Sequence, residues 1–84
     1  MIDRITVTPD PASPGTEITV CYSFNGATSP VTLKLNYGPD GTPDESITVS
    51  AAAPCKKVTV PNGATSLIVE DQSGQSADHV VQIT

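Results

Sequence analysis

Thr16–Gly38 reads TEITVCYSFNGATSPVTLKLNYG, and its periodicity decides the fold class. Ile18, Val20, Tyr22 and Phe24 recur at every second residue, Asn25-Gly26 and Ser29-Pro30 interrupt, and Val31, Leu33, Leu35 and Tyr37 resume the same period. Side chains alternate across an extended strand, so the pattern predicts two half-buried strands, each laying one face on a common core. Tyr22, Phe24 and Tyr37 are the only aromatic residues of the chain, and all three fall on the inward parity. The core is expected to assemble around them.

On the N-terminal side, Ile2–Thr8 alternates through Ile5 and Val7 and reads as a first strand. Pro9, Pro11, Pro14 and Gly15 follow it. Proline cannot donate to a ladder, so this cluster ends or kinks an edge strand. On the C-terminal side, GPDGTPDE (Gly38–Glu45) is a loop by composition. Four further strands are expected, beginning with Ser46–Ala51, which alternates through Ile47, Val49 and Ala51. Cys55–Val60 sets Val58 and Val60 inward; Thr65–Glu70 sets Leu67 and Val69 inward with Ile68 opposite. After a hairpin-like turn at Asp71-Gln72-Ser73-Gly74, Ala77–Thr84 alternates through His79, Val81 and Ile83. Three alanines stopped by Pro54 are too short to nucleate a helix, and no amphipathic helix is expected anywhere. Seven short strands with regular turn signals predict an all-β, immunoglobulin-like sandwich of antiparallel strands in two sheets; a small barrel is the alternative.

The chain has 84 residues, which feed one core and therefore a single domain over residues 1–84. A domain of this size hides only about 60–65% of the surface its unfolded chain exposes, so a covalent tie would matter. Cys21 and Cys55 are the two cysteines. With Val20 and Tyr22 facing inward, Cys21 faces outward, and the same parity argument places Cys55 opposite to Val58 and Val60. In an immunoglobulin-type sandwich the second and fifth strands are antiparallel neighbours, so a bridge between their outward residues is expected. Closing a loop of roughly 35 residues would contribute about 3.8 kcal/mol in the chain-entropy model. An antibody domain instead bridges its second and sixth strands across the core beside a tryptophan, and this chain has no tryptophan.

Three segments carry a family likeness: Ile5-Thr6-Val7-Thr8-Pro9; Ser13-Pro14-Gly15 leading into Glu17-Ile18-Thr19-Val20; and Val69-Glu70-Asp71-Gln72-Ser73-Gly74 before an alternating last strand. In these the chain resembles the bacterial and phage immunoglobulin-like, or fibronectin-like, modules of surface, secreted and virion proteins. The resemblance implies a spacer, display, adhesive or decorating unit at an extracellular, cell-surface or virion location. The Cys21 and Cys55 pair departs from most such modules.

Four Lys and Arg against nine Asp and Glu give a net charge of −5, which repels phosphate backbones and anionic membrane surfaces. Nucleic acid is not an expected partner, and the longest apolar runs, three residues each, are too short for membrane insertion. No catalytic signature is present, so no enzymatic activity and no cofactor are expected. His79 is read as a structural or rim residue. Asn36, Asp40, Asp44 and Glu45 surround the Gly38–Glu45 loop and supply the oxygen ligands that calcium prefers, but without the spacing of an EF-hand loop; a solvated polar loop is the expectation. Asp71 and Asp78, flanking the Gln72–Ser76 turn, form a weaker pair of the same kind. Lys34, on outward parity, is not placed for an isopeptide crosslink in the core. What survives is contact with a protein partner or with neighbouring domains of a longer chain. Ile68 and Val80, apolar yet outward by parity on neighbouring strands, mark one place where such a contact would fall; the acidic loop from Asp40 to Glu45, with calcium assisting, is the other.

Overall fold

Seven strands form in the expected order: β1 (Ile5–Thr8), β2 (Glu17–Tyr22), β3 (Val31–Gly38), β4 (Glu45–Val49), β5 (Cys55–Thr59), β6 (Ser66–Asp71) and β7 (His79–Val81). The structure is a computed structural model that describes residues 2–39 and 41–84. The strands make two antiparallel sheets, one of order β1-β2-β5 and one of order β4-β3-β6-β7. They stack as a sandwich.

The alternation of hydrophobic residues accounts for this layering. Ile18, Val20, Leu33, Leu35, Leu67 and Val69 are fully buried, and each is flanked in sequence by residues that face outward. Ile5, Val31, Val49, Val58, Val60 and Val81 complete one continuous core. A slip of one residue in any strand would turn that set out to water, so the pattern itself specifies the register.

Two expectations at strand ends need correction. Phe24 is not in β2, which stops at Tyr22; it lies half-buried beyond the strand, its ring 4.8 Å from that of Tyr22 and tilted by 55°. Ala51 does not extend β4 but is exposed in the Ser50–Ala53 turn, where the amide of Ala53 donates to the Ser50 carbonyl at 3.0 Å. In both places a turn satisfies backbone groups that a longer strand would have left without a ladder partner.

The prolines after β1 move the chain from one sheet to the other. Ala12, buried at the end of the Pro9–Pro11 stretch, forms a parallel bridge with Ile83, its amide donating to the Gln82 carbonyl at 2.8 Å. One N-terminal segment therefore serves both layers, pairing with β2 through Ile5–Thr8 and with the last strand through Ala12. The open seam between β1 and β7 is closed this way.

Cys21 and Cys55 are directly opposed on β2 and β5 and form a disulfide. The Tyr22 amide donates to the Pro54 carbonyl at 2.9 Å, so residues 22 and 54 are the hydrogen-bonded pair and 21 and 55 the narrow pair beside it. Opposed Cα atoms approach closest in such narrow pairs, and these two are 4.0 Å apart. Cys55 is exposed and Cys21 half-buried, so the bridge lies on the outer surface of the three-stranded sheet.

Candidate functional site

The outer face of the four-stranded sheet carries the surface features singled out in the sequence. Register sets Asn36 of β3 opposite Ile68 of β6, and Ile68 opposite Val80 of β7, so the three form one row across the sheet. Ile68 is 37% exposed and Val80 59%. At one end of this row lies an open depression of about 500 Å³, lined by Asn36, Gly38, Thr42, Asp44, Ser66 and Ile68 among others. Gly38 lets Ser66 approach its backbone closely, because a side chain there would run into the Ser66 hydroxyl. The acidic loop and the apolar pair, separate in the sequence, thus border one surface.

Asp44 and Glu45, two of the candidate metal ligands, are engaged by different partners. Lys34 Nζ lies 3.4 Å from Asp44 Oδ2, while the Tyr37 hydroxyl donates to Glu45 Oε2 at 3.3 Å. Adjacent residues in extended backbone point to opposite sides, which sends Asp44 toward outward-facing Lys34 and Glu45 toward inward-facing Tyr37. Burial, and then the Glu45 carboxylate, push the Tyr37 hydroxyl well above its ordinary pKa. Asp40 lies outside the described residues. Among the described residues no three His, Cys, Asp or Glu side chains gather as a metal set. Asp71 and Asp78 separate as well, the first buried and the second exposed.

His79 sits in the seam between β7 and the N-terminal segment. Its Nδ1 is 2.9 Å from Asp3 Oδ2, and its Nε2 is 3.9 Å from Asp10 Oδ2, beyond hydrogen-bond reach. Asp3 also accepts from the Ile5 amide at 3.0 Å and Asp10 from the Gln82 amide at 3.2 Å. The two carboxylates lie against different ring nitrogens, an arrangement that ties β7 to the N-terminal segment.

Asp71 is the residue whose role sequence reasoning missed. Its carboxylate, 9% exposed, accepts four hydrogen bonds: from the Tyr22 hydroxyl at 2.5 Å, the Ser73 amide at 2.8 Å, the Ser73 hydroxyl at 2.6 Å and the Gln75 amide at 3.0 Å. Burial by itself would raise its pKa, but the hydrogen bonds from Ser73, Tyr22 and Gln75 outweigh burial and hold it below the ordinary value. Gly74, at φ 77°, completes the turn these bonds organise. Gln75 then reaches the β2–β3 loop, accepting from the Thr28 amide at 2.7 Å and donating to the Thr28 carbonyl at 3.1 Å. A signal was present: Asp71 shares the parity of Leu67 and Val69, and the inward-facing Tyr22 hydroxyl needs a partner.

No protein-family model, curated protein or solved structure matches the chain. Among the described residues no helix is long and apolar enough to cross a membrane. The disulfide fits a protein that matures under oxidising conditions.

Proposed function

We propose that this chain is a non-catalytic structural, display or adhesion module of an extracellular or virion protein. The observation that carries the reading is the direction of its first and last strands. Ala12 and Ile83, which continue β1 and β7, pair in parallel, so the chain enters β1 at one pole of the sandwich and leaves β7 at the other. At the entry pole the Ala77 amide donates to the Ile2 carbonyl, and at the exit pole the Thr84 amide donates to the Ala12 carbonyl, both at 2.8 Å. The body measures 35 × 20 × 18 Å. Tension applied through the chain would run from pole to pole and meet the Ala12–Ile83 bridge in shear, which suits a spacer or stalk unit.

Single-molecule pulling between residues 2 and 84 tests this. A discrete unfolding peak is expected. Because Cys21 and Cys55 are 34 residues apart, the disulfide should withhold roughly 110–120 Å of extension that reduction releases. Extension without a resolvable force peak would overturn the mechanical reading.

A second reading, a module that recognises a protein partner through the outer face of the four-stranded sheet, is favoured by the opposed and exposed pair Ile68 and Val80.

A further inference from the structure

The charge around Ile68 and Val80 is one-sided. Lys34, the one ammonium on this face among the described residues, opposes Glu70 across β3 and β6 and lies against Asp44, while Asp78 is exposed two residues before Val80. Among the described residues, three carboxylates therefore share this face with a single ammonium. Asp44 already holds an ammonium at 3.4 Å, yet both side chains of that pair are 41% exposed, so the contact is open to exchange with solvent and with competing cations.

We infer that this face docks an extended basic segment of another protein, an inference that rests on the second reading above. A cationic side chain of the segment replaces Lys34 at Asp44, near Asn36 and Ser66, and an apolar side chain covers Ile68 and Val80. The dimensions agree with this. From Asp44, beside β4, to Val80 on β7 is three strand spacings, about 14 Å at ~4.8 Å each, which an extended chain covers in about four residues at ~3.4 Å per residue. The cation and the apolar anchor should thus stand four positions apart, an even spacing that turns both side chains to the sheet. Other occupants are opposed by charge. Nucleic acid and anionic lipid meet a chain of net charge −5, and a second copy of this chain would bring the same charge and the same acidic rim.

The test uses isotope-labelled, oxidised protein titrated with a short capped peptide that carries one arginine and, four positions on, one leucine in a serine–glycine background. One control peptide has glutamate for arginine; another has serine for leucine. Expected are saturable amide shifts centred on Asn36, Gly38, Ser66, Ile68 and Val80, weakening as salt is raised. Asp44→Asn should weaken binding roughly two- to fivefold, as loss of an exposed ion pair would. Val80→Ser, at an exposed position and checked by thermal melting, should weaken it comparably. If the glutamate peptide shifts the same face as strongly as the arginine peptide, the basic-segment inference is overturned while the docking face stands. If the serine peptide binds as well as the leucine peptide, the apolar half of the inference is overturned. No shift on this face with any of the three at millimolar concentration, or shifts scattered over both sheets, overturns the inference and the second reading together.

Discussion

Tyr22 on β2 donates its phenolic proton to Asp71 on β6 at 2.5 Å, joining the three-stranded and four-stranded sheets through a buried, charge-assisted hydrogen bond. The disulfide lies within one sheet. This bond instead ties layer to layer at the end of the core, where Asp71 also organises the turn after β6.

Tyr22→Phe should destabilise the domain by about 1.5–3 kcal/mol, the usual worth of a hydrogen bond to a charged group. Urea unfolding of the two proteins measures it. An effect within a few tenths of a kcal/mol would mean that Asp71 is satisfied by Ser73 and Gln75 alone.

Acid should weaken the fold through Asp71. Its carboxyl titrates below the ordinary 3.8 in the folded protein, so its contribution is fully present above that value and is lost as pH falls through the folded pKa. Melting temperature followed downward from pH 6 should drop more steeply for the native protein than for Asp71→Asn, which lacks the titrating group. Parallel curves would assign the acid limit to other carboxylates.

Alkali should act through the tyrosines. Burial, with the neighbouring Asp71 carboxylate, pushes the Tyr22 hydroxyl up to about 12, and Tyr37 is raised as well. A raised folded pKa contributes stability that is whole below the unfolded value of about 10 and is lost as pH climbs toward 12. Absorbance titration should find no phenolate in the folded protein at pH 10, and a half-ionised signal there would contradict the burial of both rings.

Reduction of the Cys21–Cys55 bridge should cost about 3.8 kcal/mol, a fall in melting temperature of roughly 15–30 °C for a domain this small. Calorimetry with and without a reductant decides it. An unchanged melting temperature, with two thiols titrating, would remove the bridge from the account of stability.

Leu35→Ala and Val80→Ser should separate core from surface. Leu35 is wholly enclosed between the sheets, and its truncation should cost about 2–5 kcal/mol. Val80 is 59% exposed, and its replacement should stay within about 0.5 kcal/mol. Comparable losses in chemical denaturation would show that Val80 is packed in solution.

Much of the architecture was legible because strand side chains alternate with a period of two and proline and glycine mark where ladders stop. That arithmetic placed Ile18, Val20, Leu33 and Leu35 inside, set Cys21 and Cys55 on one outer surface, and left Ile68 and Val80 outside. It did not reach Asp71, whose turn-forming identity masked its inward parity, nor the Ala12–Ile83 bridge, which joins segments far apart in the chain.

By itself, then, the amino-acid order determined which face of each strand is buried and which segments turn, because both follow from local alternation and local backbone chemistry. Only the tertiary structure decided that β6 pairs with β3, that Asp44 shares a surface with Ile68, and that a carboxylate from one sheet receives a phenol from the other. Those are contacts between distant segments, and their energies depend on distances across the packed sandwich that no local pattern encodes.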